Sequence, residues 1–240
     1  MRIKDLKKII EDEIKTLTKE NGLVFNKKGF CFTFKNKGYT IDFNIFVDNY
    51  YGRGIEISSN CITTILLIKD FYTLNDIPIS EYYITTGSGT QKLYDYFNKV
   101  SVKSNEKTVI AFNDDTIDNA IMYVGDFVPK LLFVLDSIKF ELDNNLSKNF
   151  DSIDNQFLQI KLFDKLVLYH YFNPNKLPEA LLYTKNIIER GDIAFETYQK
   201  YLIFIPKICT LNQLNYSDYQ PKLPFFRRIK FYWQGIDIDN

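Results

Sequence analysis

Apolar and polar residues alternate along residues 30–57, and this alternation limits the fold more than any other feature of the chain. A period of two is typical of β-strands that bury one face. Interruptions at residues 36–38 and 49–54 divide the segment into strands. Turns of this length join antiparallel neighbours, whereas parallel strands need a long crossover. The pattern therefore predicts an antiparallel β-meander with one buried face and excludes a βαβ unit here.

Apolar residues at helical spacing flank this meander on both sides. Spacings of three and four over residues 3–17 predict an N-terminal amphipathic helix. The same spacing over residues 117–142 predicts a long amphipathic helix, with its apolar positions at Ile117, Ile121, Val124, Val128, Leu131, Leu135, Ile138 and Leu142. Pro129 lies inside this second helix and lacks the backbone donor that a helix needs, so we expect a kink or a break there.

The helical pattern continues beyond residue 151 to about residue 206. We therefore predict an α+β protein with an N-terminal helix, an antiparallel β-meander, a long kinked helix and then a helical C-terminal part. The predicted domains are residues 1–150, an α+β domain that contains the antiparallel sheet, and residues 151–240, a helical extension packed on it.

Composition and charge exclude several classes of function. Lys and Arg together number 30, as do Asp and Glu, so no global field favours nucleic acid or an anionic membrane. No apolar stretch follows the charged N-terminal residues, and the most apolar runs, residues 65–68 and 131–135, are too short to span a bilayer. The three cysteines have no CxxC spacing, which argues against a disulfide framework or a zinc site. We expect a cytoplasmic protein with no cofactor and no membrane partner.

The stretch YYITTGSGTQKLYDYF, residues 82–97, has the outline of a phosphate-binding loop. A P-loop needs its second glycine directly before the lysine, so that backbone amides and the ammonium group surround the phosphates. Here Thr90 and Gln91 separate Gly89 from Lys92, and no third glycine completes a dinucleotide fingerprint. The alternative is a strand-to-helix turn in which Ser88 or Thr90 caps the helix. We expect the turn.

Asp42 and Glu56 are the best candidates for a metal-dependent hydrolase or nuclease. The order Asp, then Glu-Ile-Ser, is similar to a nuclease core in which Asp precedes Glu-x-Lys, but Ser58 occupies the position of the lysine. A hairpin turning at residues 49–54 would place Glu56 opposite Phe46, about 13 Å from Asp42 along the strand. Both carboxylates also share the polar face of the meander. We expect a solvated outer face, with the hydrolase as the alternative.

Two further polar groups lie at predicted helix ends. His170 is the chain's single histidine, so any Ser-His-Asp or Cys-His site would have to use it. It lies near a helix C-terminus among tyrosines, where a half-buried, hydrogen-bonded histidine is the ordinary outcome. Asp114, Asp115 and Asp118 begin the long helix, where negative charge is favoured by the dipole. We expect capping there, with a magnesium site as the weaker alternative.

Aromatic and basic residues mark two candidate interaction surfaces. One is the tip of the central hairpin, with Tyr50, Tyr51 and Arg53. The other is the segment PFFRRIKFYWQG, residues 224–235, with its basic and aromatic side chains at Arg227, Arg228, Lys230 and Trp233. Tyr, Trp and Arg are the residue types enriched at interface hot spots. The C-terminal segment could also stack bases, or close the core with its aromatics.

The order of elements resembles that of small bacterial domains of unknown function. The helix IKDLKKIIEDEIKTLTKENG is followed by the hairpin segment LVFNKKGFCFTF, by strands ending in GIEISSN, and later by the helix TIDNAIMYVGDFVPKLLFVLDSI. The resemblance covers about residues 1–145. Some relatives of this type are thought to be immunity proteins of polymorphic toxin systems. The resemblance therefore implies a non-enzymatic protein that binds another protein, such as a toxin.

Overall fold

The computed structural model describes residues 3–18, 21–26, 30–78, 85–99, 108–111, 116–152, 160–190 and 193–223. The chain forms two compact units. Unit 1 consists of Met1–Leu67 and Ile84–Gln159, and unit 2 of Ile68–Tyr83 and Ile160–Asn240. A segment from the middle of the sequence thus belongs to the unit that otherwise contains the C-terminal helices. The predicted α+β class and the predicted antiparallel sheet are confirmed.

Unit 1 contains the sheet and three helices. Its elements are α1 (Ile3–Thr18), β1 (Val24–Asn26), β2 (Cys31–Lys35), β3 (Tyr39–Tyr50), β4 (Gly54–Ile65), β5 (Thr85–Gly89), α3 (Thr90–Phe97), β6 (Thr108–Ala111) and α4 (Thr116–Asn145), followed by the short 3-10 helix Phe150–Ser152. A further helix, α2 (Leu66–Leu74), follows β4 without a break and leads into unit 2.

The described strands form one antiparallel sheet in the order β1-β2-β3-β4-β5. The hairpin of β3 and β4 is its centre and pairs from Tyr39 opposite Ile65 to Tyr50 opposite Gly54. β6 also pairs with β4, opposite residues 54–57, whereas β5 pairs with residues 60–64. β5 and β6 therefore lie end to end along the same edge of β4, and β6 lies beside the hairpin tip.

The alternation seen in the sequence separates the two faces of this sheet. The inner face is apolar and buried, with side chains that include Phe32, Ile41, Phe43, Ile45, Val47, Ile55 and Ile57. The helices of unit 1 cover this face: the hydroxyl of Tyr39 on β3 donates to Asp143 on α4, and the Lys139 ammonium of α4 lies 5.1 Å from the centre of the Phe34 ring. The opposite, outer face is polar and half-exposed.

The long helix predicted from residue spacing is α4, and its predicted buried stripe is confirmed except in the first turns. The six predicted positions that are buried are Val124, Val128, Leu131, Leu135, Ile138 and Leu142, whereas Ile117 and Ile121 are 45% and 42% exposed. The buried positions in the first turns are Thr116 and Ala120 instead, followed by Phe127. The helix also continues through Pro129 without a break. The residues predicted to cap it, Asp114 and Asp115, lie outside the described part of the chain.

Unit 2 is built from helices around an aromatic core. Its elements are α2, α5 (Leu162–Phe172), the 3-10 turn Pro174–Lys176, α6 (Leu177–Arg190), α7 (Phe195–Leu211) and the 3-10 turn Tyr216–Tyr219. The buried ring of Phe204 on α7 contacts Phe71 and Tyr72 of α2 and Phe163 of α5. Within the ranges described above, none of the helices is both long and apolar enough to cross a membrane.

Thr90, the first residue of α3, is a buried polar residue with an unmet hydrogen bond. Its side chain is 1% exposed, and its hydroxyl has no hydrogen-bond partner among the residues described. The predicted capping by Ser88 or Thr90 is wrong, because Gly89 is the N-cap residue and makes no side-chain cap bond. A buried hydroxyl without a hydrogen-bond partner destabilises the folded state, because it has lost its hydrogen bonds to water and has gained none in the protein.

Replacing Thr90 by Val should therefore stabilise the protein. The substitution keeps the side-chain shape and removes the unmet hydroxyl, so we expect the free energy of unfolding to rise by about 1 kcal/mol. Thr184→Val is the matched control, because Thr184 is equally buried but donates to the carbonyl oxygen of Ala180 at 2.8 Å. Urea unfolding should show that this control loses stability. A loss of stability in Thr90→Val would contradict the prediction.

Candidate functional site

The tip of the β3–β4 hairpin holds a tyrosine in an unusual, exposed conformation. Tyr51 and Gly52 both adopt left-handed backbone conformations, with φ of 48° and 73°. The side-chain oxygen of Asn49 accepts a 2.9 Å hydrogen bond from the amide of Gly52, which fixes the turn. Tyr51 is 87% exposed. A left-handed conformation costs a residue with a side chain about 1–2 kcal/mol, and strain of this kind is often found at binding sites.

Exposed side chains continue from the tip onto the outer face of the sheet. Phe46 and Asp48 lie on this face of β3, and the register places Glu56 of β4 between Asp48 and Val109 of β6. Phe46, Asp48 and Val109 are all exposed, as are Tyr51 and Arg53 at the tip. We call these five residues the tip surface: Phe46, Asp48, Tyr51, Arg53 and Val109. It combines three apolar or aromatic side chains with one charge of each sign.

The structure describes only some of the interaction residues that were predicted from the sequence. Tyr50, Tyr51 and Arg53 lie together at the hairpin tip, with Tyr50 pairing opposite Gly54 at the end of the strands. Arg227, Arg228 and Trp233 lie outside the described residues, so the hypotheses built on them remain predictions.

The two carboxylates of the hydrolase hypothesis lie far apart. Glu56 is opposite Asp48, so its predicted position opposite Phe46 is wrong by two residues. Asp42 is opposite Ile62, six positions along β4 from Glu56, which corresponds to about 20 Å at the usual rise of a strand. In the described ranges, no three His, Cys, Asp or Glu side chains are grouped closely enough to hold a metal ion.

Asp42 is instead part of a hydrogen-bonded row on the outer face. The hydroxyl of Thr33 donates to the Asp42 carboxylate at 2.5 Å, and the Cys31 thiol lies 3.8 Å from the same oxygen. Burial raises the pKa of Cys31, and the negative charge of Asp42 raises it further. Cys31 is therefore a protonated thiol at neutral pH and a poor nucleophile. Burial likewise raises the pKa of the other two cysteines, Cys61 and Cys209.

The glycine pair of the phosphate hypothesis lies in a strand. Gly87 is opposite Ile62 and Gly89 is opposite Asn60, so both belong to the ladder of β5 with β4. The chain passes from Gly89, the last residue of β5, directly into α3. Backbone groups in a ladder cannot surround a phosphate as a P-loop does, so this geometry does not support nucleotide binding.

His170 makes ordinary structural contacts within unit 2. Its Nδ1 atom lies 2.9 Å from the side-chain oxygen of Asn212, and its ring packs against Phe71 and Tyr171. It is half-buried near the end of α5, as the sequence predicted. These contacts orient the imidazole toward an amide and place it beside aromatic rings, and none of these described partners is the nucleophile of a Ser-His or Cys-His pair.

A buried polar cluster in unit 2 was not predicted from the sequence. The hydroxyl of Tyr72 on α2 donates to the Asp164 carboxylate of α5 at 2.8 Å. The Lys200 ammonium of α7 lies 4.6 Å from the centre of the Tyr72 ring and 5.1 Å from that of Phe163. Asp164 is only 3% exposed and Lys200 9%. We call Tyr72, Asp164 and Lys200 the buried polar cluster.

Burial dominates the electrostatics of this cluster. It raises the pKa of Asp164 to about 6, although the Tyr72 hydrogen bond and the charges of Lys200 and Lys161 act in the opposite direction. Burial also lowers the pKa of Lys200 to about 8, against the attraction of Asp164. A lysine with a lowered pKa can serve as a base or nucleophile. Here, however, aromatic rings lie against its ammonium, and the cluster connects α2, α5 and α7.

The sequence did contain a weak signal for this cluster. Asp164 and Lys200 are each followed one turn later by an apolar residue: Leu168 follows Asp164 by four residues, and Phe204 follows Lys200 by four. A charged residue at such a position is expected to be buried with a partner. The pairing itself depends on how α5 and α7 pack, which spacing does not reveal.

Comparison with known proteins finds no matching family model, curated protein or solved structure. The functional interpretation therefore depends on the geometry of this chain.

Proposed function

We propose that this protein acts by binding another protein through the tip surface of unit 1, as an immunity protein binds its toxin. The observation that carries the proposal is Tyr51, which the hairpin holds almost fully exposed in a left-handed conformation. Glycine or asparagine would occupy this position with less strain. Strained backbone at an exposed aromatic residue is typical of a binding site.

The composition of the tip surface supports this proposal. Tyrosine provides a large contact area and loses little conformational entropy on binding, because it has only two side-chain torsions. Phe46 and Val109 extend the apolar area along the outer face, and Arg53 and Asp48 provide charges at its border. An apolar centre with a polar rim is the usual arrangement of a protein interface.

The shape of the tip suggests the kind of partner. A hairpin turn that carries an exposed tyrosine is convex, so its partner should offer a concave surface. The active-site cleft is the most common deep concavity on an enzyme. A protein that inserts the Tyr51 side chain into the cleft of a toxic enzyme would block it, which agrees with the immunity role implied by the sequence resemblance.

Site-specific photo-crosslinking in the native cell tests this proposal. Tyr51 is replaced by the photoreactive residue p-benzoylphenylalanine, and Tyr183, an exposed aromatic residue of α6 in unit 2, receives the same replacement as the control. We expect one defined protein adduct from position 51 and none from position 183. The absence of an adduct from position 51, or the same adducts from both positions, would contradict the proposal.

A further inference from the structure

The first half of α4 exposes an apolar surface interrupted only by acidic residues. Its exposed positions between residues 116 and 133 are Ile117, Asp118, Ile121, Met122, Gly125, Asp126, Pro129 and Phe133. The only basic residue of this stretch, Lys130, is half-buried and donates to the side chain of Gln91 on α3 at 2.9 Å. The exposed face therefore carries negative charge alone.

These exposed residues form two adjacent ridges at a spacing of four. The apolar ridge consists of Ile117, Ile121, Gly125, Pro129 and Phe133, and the acidic ridge of Asp118, Met122 and Asp126. Ridges at this spacing are the elements that interdigitate when two helices pack at about −50°. The two carboxylates of the acidic ridge lie eight residues apart, which is about 12 Å along a helix.

The middle of the apolar ridge permits close approach of another backbone. Gly125 has no side chain, and a Cβ atom added there would meet nothing within 4 Å. Pro129 has no amide hydrogen, so the regular helical donor to the Gly125 carbonyl is missing. Met122 beside the apolar ridge is a flexible side chain that adapts to varied apolar partners.

We propose that the two ridges of α4 dock a basic amphipathic helix of a partner protein. Apolar residues of that helix would pack on the apolar ridge, and its lysines or arginines would face Asp118 and Asp126. A helix is the occupant that fits because it can present its own ridge at the same spacing. The inference rests on the proposed protein-binding function, but it uses a surface separate from Tyr51.

Peptide binding with a charge swap tests this inference. The probe is a fluorescein-labelled amphipathic helical peptide with leucines every four residues and lysines eight residues apart, and its control carries glutamate in place of each lysine. We expect the protein to bind the lysine peptide about tenfold more tightly, as two partly screened ion pairs allow, and less tightly in high salt. The double variant Asp118→Lys/Asp126→Lys should prefer the glutamate peptide instead.

Two single variants show where the peptide binds. Ile121→Ala should weaken binding several-fold, whereas Leu182→Ala, a comparably exposed apolar residue of α6 in unit 2, should leave it unchanged. Fluorescence anisotropy measures all of these affinities, and circular dichroism verifies that each variant is folded.

Several outcomes would overturn the inference. The first two are failure of both peptides to bind, and a preference for the lysine peptide that the double variant retains. The third is a dimer of the free protein that Ile121→Ala dissociates, because a second copy of the chain would then occupy the two ridges. Loss of peptide binding in Tyr51→Asn but not in Ile121→Ala would also overturn it, while leaving the proposed function of the tip surface intact.

Discussion

The double variant Asp164→Asn/Lys200→Met should be more stable than the natural protein at pH 7, by about 1–4 kcal/mol, as found when other buried ion pairs were replaced. Burial disfavours both charges of the buried polar cluster, as the shifted pKa values of Asp164 and Lys200 show. Asparagine keeps an acceptor for the Tyr72 hydroxyl, and methionine keeps most of the apolar length of lysine. The double variant therefore removes two buried charges and keeps an acceptor for the Tyr72 hydroxyl.

The stability difference should also depend on pH in a specific way. The raised pKa of Asp164 means that its neutral form is favoured in the folded state, so its contribution is fully present below about pH 4 and is lost as the pH rises through about 6. The lowered pKa of Lys200 means that its contribution is fully present above about pH 10.5 and is lost as the pH falls through about 8. Relative to the double variant, the natural protein should be least stable between about pH 6 and 8.

Urea unfolding of the natural protein and of the double variant at about pH 4, 7 and 10 measures how the difference between their free energies of unfolding depends on pH. The shift of Asp164 from 3.8 to about 6 corresponds to about 3 kcal/mol at 1.36 kcal/mol per pH unit, so the acidic side of the curve should be large enough to resolve. Lys207→Met is the matched control, because Lys207 lies on the same helix and donates to the carbonyl oxygen of Asn75. Relative to the double variant, the control should also be least stable near neutral pH. A stability difference between the natural protein and the double variant that does not change with pH, or a natural protein that is relatively most stable near pH 7, would refute the account of the cluster.

Tyr51→Asn should separate binding from folding. The loss of an interface hot spot typically weakens binding by about 2 kcal/mol or more, roughly thirtyfold. Asparagine tolerates the left-handed conformation better than tyrosine does, so the free energy of unfolding should stay the same or rise by up to about 1 kcal/mol. A residue with a purely structural role would show the opposite pattern, because its replacement would reduce stability and leave the affinity of the folded protein unchanged.

Calorimetric titration with the partner protein that photo-crosslinking at position 51 identifies gives the affinities, and urea unfolding gives the free energies of unfolding. Tyr183→Asn is the matched control, since Tyr183 is another exposed tyrosine, at 64%, on α6 of unit 2. Tyrosine and asparagine have similar helix propensities, so this control should change neither quantity much. Equal affinity of Tyr51→Asn and the natural protein would remove Tyr51 from the interface.

Period-two alternation was sufficient to predict the centre of unit 1. It identified β2, β3 and β4, their antiparallel connection and their buried face, because a strand with one buried face must place its apolar residues at alternate positions. The register of β3 with β4 was predicted less accurately. The last pair of the hairpin is Tyr50 opposite Gly54, and the left-handed conformations of Tyr51 and Gly52 in the turn set this register. The resulting error of two residues kept each side chain on its predicted face.

The missed features depend on packing between elements. Ile117 and Ile121 fit the apolar spacing of α4, yet the helix buries Thr116 and Ala120, because neighbouring elements select which part of a wide apolar surface is covered. Asp164 and Lys200 are 36 residues apart in sequence, and only the approach of α5 and α7 brings them to the same ring of Tyr72. One-dimensional spacing contains no information on such approaches.

Hydrogen–deuterium exchange of the protein with and without its partner tests the central claim most directly. If the tip surface is the docking site, amides of residues 46–58 and 108–110 should exchange more slowly in the complex, and the core strands should change little. Protection confined to the helices of unit 2, with unchanged exchange at the hairpin tip, would contradict the claim.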